Sequence, residues 1–158
     1  MEDGALFGHL AGALLFASGS VLAAVALEAA RRRSEPSEIA LLLGLARTGA
    51  ALVGVGALAV LGFGLWLVHL GSWGYGAGWV DAAIALFLAA AILGALGGQA
   101  PKRARKLASR LASQRKPATD ELRHLLDDRS ATWLNYGSGL LVVAILVLMV
   151  WKPGAAGS

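Results

Sequence analysis

Hydrophobic residues form four long stretches along the chain, and most charged residues lie in the segments between them. An α-helix rises about 1.5 Å per residue, so roughly 20 apolar residues cross a hydrocarbon core of about 30 Å. The four stretches reach about this length or more and predict transmembrane helices over residues 5–30, 48–70, 80–98 and 131–151. We therefore expect an all-α protein: a four-helix transmembrane bundle that forms a single membrane domain over residues 1–158.

The second helical pattern is too long for one bilayer. Without a break, it extends from Glu35 to Leu70, about 54 Å of helix. If Arg47 marks the inner boundary, the apolar segment 39–46 projects beyond the hydrocarbon core and needs a cover. Segment 102–128 can supply amphipathic helices, because its leucines have i, i+3, i+4 spacing: Leu107, Leu111, Leu122, Leu125 and Leu126. Alternatively, the basic helix in this segment lies on anionic lipid headgroups.

Positive charge is distributed very unevenly about these helices. Four arginines, Arg31–Arg33 and Arg47, lie between the first and second helices. A larger group lies between the third and fourth: Lys102, Arg103, Arg105, Lys106, Arg110, Arg115, Lys116, Arg123 and Arg129. Of the 14 Lys and Arg, only Lys152 lies on the other side.

Cytoplasmic loops of membrane proteins retain Lys and Arg. We therefore expect segment 102–128 in the cytoplasm, and both termini and the loop 71–80 on the opposite side. The pattern predicts a multi-pass protein of the bacterial cytoplasmic (inner) membrane. It also explains the net charge of +4 without nucleic acid as a partner.

Composition and motifs favour a protein that is not an enzyme. The chain has no cysteine, which excludes disulfides, iron–sulfur clusters and thiolate metal sites, and two methionines offer little for a thioether copper site. It contains no G-x-S-x-G, H-E-x-x-H, P-loop or dinucleotide motif. No charged residue occupies the middle of a span, as a transport pathway would require.

The first helix carries a stripe of small residues, and Gly8 and Gly12 form a G-x-x-x-G motif. Small residues at this spacing let another helix backbone approach closely. We interpret the stripe as intramolecular packing. The alternative is that it contacts a second copy of the chain or another membrane subunit.

Two histidines are the main candidates for chemistry. His9 lies 22 residues before Arg31, and His69 lies 22 residues after Arg47. If the two arginines share the inner boundary, both imidazoles reach the same depth, about 33 Å away on the outer side. Two histidines on neighbouring antiparallel helices are what axial ligation of haem b requires. The alternative is that each ring simply makes a structural or interfacial hydrogen bond.

Four further polar residues near the inner side are predicted to have structural roles. Glu28 is expected to pair with Arg47 or Arg32 at the membrane interface. Asn135 and Tyr136, at the start of the fourth helix, are expected to hydrogen-bond across the bundle. No third ligand suitable for a metal site is singled out by its spacing.

Several short segments resemble a known family: Phe7–Gly12, Gly64–His69, Gly78–Asp81 and Pro101–Arg105. They resemble a bacterial family of predicted integral membrane proteins of unknown function, which is itself similar to the membrane domain of CopD-like copper-resistance proteins. The resemblance covers roughly residues 5–150. It implies a four-helix membrane fold and suggests haem or metal handling through membrane histidines, with His9 matching the histidine of the first helix.

Three functions are consistent with these observations. The first is a non-enzymatic accessory or structural subunit of a larger membrane complex, which works by helix packing. The second is a b-type haem protein that transfers electrons, with His9 and His69 as axial ligands. The third is a small oligomeric transporter or channel.

Overall fold

The computed structural model describes residues 2–70 and 78–151, and every regular element in these ranges is helical. Four helices are long and apolar enough to cross a membrane, so the predicted all-α fold with four candidate spans is confirmed. Two shorter stretches of helix lie between the third and fourth spans. In chain order the six helices are α1 (Glu2–Arg31), α2 (Pro36–Leu70), α3 (Gly78–Gly97), α4 (Gln99–Ser113), α5 (Asp120–Leu126) and α6 (Arg129–Trp151).

The chain divides into two compact units. The first comprises residues 1–67 and 100–128, and the second comprises residues 68–99 and 129–158. The first unit therefore contains α1, most of α2, α4 and α5, and the second contains α3 and α6. Most of the predicted loop 71–80, and Lys152, fall outside the described residues.

In the first unit, α1 and α2 pack antiparallel through small residues. A methyl group on Gly12 would come within 2.9 Å of the Val60 amide nitrogen, and one on Gly19 within 2.7 Å of the Gly49 carbonyl oxygen. At these two levels the backbones are too close for any side chain, which is the packing that small residues permit. The interpretation of the glycine stripe as intramolecular packing is therefore confirmed.

The start of α2 is buried in a small apolar core at one end of this unit. Ile39 and Leu43 are fully or almost fully buried there. Their cover comes from α4 and α5, whose buried residues face them: Ala104, Ala108, Leu111, Leu122 and Leu126. Leu107 and Leu125 pack against the same core. The apolar start of α2 is covered as predicted, by the predicted leucines together with an alanine stripe on α4.

In the second unit, α3 and α6 pack antiparallel. The Ser138 hydroxyl donates a hydrogen bond to the Ala90 carbonyl oxygen at 2.9 Å. Nearer the other end of α3, Gly97 lies directly against the Asn135 side chain, and a methyl group on Gly97 would stand 3.2 Å from the Ala131 carbonyl oxygen. Small residues and the Ser138 hydroxyl therefore contribute to this packing, as is typical of helices in lipid.

Large apolar side chains cover the outside of all four long helices. On α6 they recur every three or four residues, as Trp133, Tyr136, Leu140, Val143, Val147 and Trp151. In water this surface would be very unfavourable, whereas hydrocarbon solvates it without cost. The exposed pattern is that of a protein that sits in a lipid bilayer.

Candidate functional site

His9 is half-buried at the α1–α2 contact, and its ring is held by the backbone of α2. The Nδ1 atom lies 3.0 Å from the Val60 carbonyl oxygen. A carbonyl oxygen can only accept, so Nδ1 donates and carries a proton. In the tautomer that has its proton on Nδ1, the other ring nitrogen, Nε2, has a lone pair that can accept a hydrogen bond or bind a metal.

A glycine on α2 makes room for this ring. A methyl group on Gly64 would stand 3.2 Å from both Cε1 and Nδ1 of His9, closer than such atoms normally pack. Gly64 therefore leaves the space that the imidazole occupies. On the same helix, the Phe63 and Trp66 rings stack on each other with centroids 6.2 Å apart and planes 12° from parallel.

His69 is an exposed residue near the end of α2 and belongs to the second unit. The predicted common depth of His9 and His69 stays a prediction. In residues 2–70 and 78–151, no group of three or more His, Cys, Asp or Glu side chains is arranged to hold a metal ion. His9 is thus the histidine whose ring orientation is explained by a described contact.

Glu28 forms its ion pairs within its own helix and the residues that follow it. Its carboxylate lies 3.0 Å from Arg32 and 3.5 Å from Arg31. The predicted partner Arg32 is therefore present. Arg47, the other suggested partner, is an exposed residue on α2, and the described ion pairs of Glu28 do not include it.

Two arginines, Arg31 and Arg123, join α5 to the end of α1 through contacts that the sequence analysis did not predict. Arg31 donates from Nε to the Leu126 carbonyl oxygen at 2.8 Å, and Arg123 donates to the Arg31 carbonyl oxygen at 3.1 Å. Each arginine thus satisfies a carbonyl that the other helix leaves unpaired at its C-terminus. A basic residue in the last turn of a helix is a recognisable signal for such a cap. The sequence does not indicate which helix supplies the partner.

The hydrogen bonds predicted for Asn135 and Tyr136 on α6 stay a prediction. Asn135 is exposed and lies against Gly97, and Tyr136 is also largely exposed. A described hydrogen bond from α6 to α3 comes from Ser138. Ser138 stands between two glycines in an apolar span, and that isolated polarity was the available signal.

The hydrogen bond of His9 has the form that is usual for a histidine that binds a metal. Histidines that ligate metals usually donate their second ring nitrogen to a carbonyl or carboxylate, which fixes the tautomer and orients the ring. The contact with Val60 has this form. The Nε2 atom of His9 is therefore suited to bind a haem iron.

The comparisons with known proteins agree with this membrane architecture. No curated protein matches the chain, and no solved structure matches it. The family model described as predicted integral membrane protein (DUF2269) matches residues 6–153. Because that match spans nearly all of the 158 residues, the chain belongs to the DUF2269 family of predicted integral membrane proteins.

Proposed function

We propose that this integral membrane protein binds haem b and transfers electrons, and that His9 and His69 are the residues that would hold the haem iron. The observation that carries the proposal is the hydrogen bond between His9 Nδ1 and the Val60 carbonyl oxygen. An ionisable side chain inside a membrane span is costly and is typically kept for a function. At His9, the backbone of α2 uses one ring nitrogen for orientation and leaves the other for a ligand.

The chain's own residues have distinct tasks in this proposal. Val60 holds the His9 ring in one tautomer, and Gly64 leaves the space beside it. The Phe63 and Trp66 rings stack on each other and add apolar aromatic surface to α2. Haem, when bound, supplies one-electron redox chemistry, and burial together with the ligand hydrogen bond tunes its potential.

The first test is an absorption spectrum of the purified chain, expressed with ample haem and recorded before and after reduction with dithionite. We expect a Soret band and sharp reduced α and β bands. These should be lost or shifted in His9→Ala and in His69→Ala. His124→Ala is the matched control, because His124 is exposed on α5, and its spectrum should be unchanged. A wild-type protein without these absorption bands would contradict the proposal.

A second pair of variants tests the ring position without removing the ligand. Gly64→Ala places a methyl group 3.2 Å from the His9 ring and should shift the reduced α band or weaken haem retention. Gly62→Ala adds the same methyl group into open space and should leave the spectrum unchanged. Equal spectra for both variants would argue against His9 as a ligand.

A non-enzymatic accessory subunit is the second proposed function. The exposed stripe on α6 supports it, because large apolar residues with spacings of three and four suit the face of another membrane helix. Co-purification of a stoichiometric membrane partner, lost when Leu140 and Val147 are both changed to Ala, would favour this function. Retention of the partner in that variant would exclude this face. The third hypothesis, a transporter or channel, gains no supporting observation in the described residues.

A further inference from the structure

Helix α4 presents a row of cations opposite its buried face. Lys102, Arg103, Lys106 and Arg110 are exposed and, at 100° per residue, fall within an arc of about 100° around the helix. We name these four residues the cationic face. The 15-residue helix contains no acidic residue.

The other side of α4 is fixed by packing. Ala100, Ala104, Ala108 and Leu111 are buried, and the last three belong to the apolar core with Ile39 and Leu43. The helix therefore cannot roll to bury its cations or insert its apolar side into lipid. The structure favours a rigid charged surface over the amphipathic insertion that the sequence also allowed.

Neighbouring cations have partners within the protein, whereas the described contacts give the cationic face none. Described salt bridges join Glu28 to Arg31 and Arg32, and Glu38 to Arg33. Arg123 is used in capping α1. The charge on α4 is therefore uncompensated by the part of the chain that the structure describes.

The position of α4 in the chain indicates what lies nearest to this charge. Only Gly98 separates the end of the apolar helix α3 from the start of α4. Lys102 and Arg103 follow Gly97 by five and six residues along the chain, and Arg110 follows it by 13. The Debye length at physiological salt is about 8 Å, so we expect the cations that follow the apolar helix most closely to interact most strongly with lipid headgroups.

We propose that the cationic face binds anionic phospholipid headgroups, with Lys102 and Arg103 contributing most and Arg110 least. A basic cluster immediately next to a membrane span is a known form of lipid recognition. Lipid is also the obligatory neighbour of an integral membrane protein, whereas an acidic protein or nucleic acid would have to be recruited. Because the alanine face is occupied, the binding is electrostatic and should depend strongly on salt.

Lipid competition on the full chain tests the proposal. The purified protein in a neutral detergent is incubated with equimolar phosphatidylglycerol and phosphatidylcholine of identical acyl chains. Excess lipid is removed by size exclusion, and bound lipids are counted by mass spectrometry at about 50 mM and about 500 mM NaCl. The test variant is Lys102→Gln with Arg103→Gln. The matched control is Arg115→Gln with Lys116→Gln, which removes the same charge beyond the end of α4.

Wild type and control should prefer phosphatidylglycerol at low salt, and the preference should fall roughly two- to tenfold in the test variant. High salt should remove most of the difference. An equal loss of lipid preference in both variants would show that the effect depends only on net charge. If the wild type shows no preference, these cations determine membrane topology only. Either result overturns the proposal. So would binding of poly-glutamate by wild type without any lipid preference, which would assign the face to an acidic protein.

Discussion

Arg31 and Arg123 cap each other's helices. Arg31, the last residue of α1, donates to a carbonyl at the end of α5, and Arg123 on α5 donates to the carbonyl of Arg31 itself. Helix α5 has seven residues, too few to be stable alone. Its place therefore depends on this exchange, together with the burial of Leu122 and Leu126 and the Thr119 N-cap.

We expect Arg31→Ala and Arg123→Ala each to destabilise the protein by about 1–2 kcal/mol, because each leaves a helix-terminal carbonyl without its charged donor. The double variant should cost less than the sum of the two, since both bonds join the same helix ends. Thermal unfolding in detergent and limited proteolysis around α5 measure this. Arg32→Ala, which removes an exposed ion pair, is the control and should leave both readouts unchanged. Additive effects would contradict the coupling.

The α1–α2 contact predicts opposite results for two glycines on the same helix. A methyl group on Gly56 would meet the Phe16 amide nitrogen at 2.5 Å and the Gly12 carbonyl oxygen at 2.7 Å, whereas one on Gly54 would enter open space. Gly56→Ala should force the helices apart and lower the unfolding temperature. Gly54→Ala should leave stability unchanged or raise it by up to about 1 kcal/mol, because alanine favours helix. Similar unfolding temperatures for the two variants would contradict the described contact.

Helix α4 ends in a Schellman motif with an arginine where glycine is usual. Arg115 has φ of 51°, while the Lys116 amide donates to the Leu111 carbonyl and the Arg115 amide to the Ala112 carbonyl. A left-handed conformation costs a side-chain-bearing residue about 1–2 kcal/mol. Arg115→Gly should therefore raise the unfolding free energy by about 1 kcal/mol, and Arg115→Gln, which keeps a Cβ, should not. A loss of stability in Arg115→Gly would show that the arginine side chain outweighs this strain.

The absence of cysteine makes the predicted membrane orientation directly testable. Gly4 and Ser113 are exposed, and the predicted topology puts them on opposite sides of the membrane. A membrane-impermeant maleimide should label Gly4→Cys in intact spheroplasts of a bacterial expression host. It should label Ser113→Cys only after the membrane is opened. Labelling of Ser113→Cys in intact spheroplasts would reverse the orientation inferred from the Lys and Arg distribution.

Much of the architecture could be predicted because a bilayer imposes simple requirements on length and hydropathy. The four spans, the overlong second helix and the need to cover residues 39–46 all follow from counting residues against membrane thickness. The leucine spacing of segment 102–128 indicated its helices. Where α4 ends and α5 begins depended on the local capping at Arg115 and Thr119, which hydropathy does not report.

The polar contacts required the tertiary structure. Three of these contacts join residues 48 or more positions apart in the chain: His9 with Val60, Arg31 with Leu126, and Ser138 with Ala90. Such contacts depend on the rotation and register of one helix against another. That register is set where glycines such as Gly12 and Gly56 allow backbones to meet, and the one-dimensional pattern of apolar residues leaves it open.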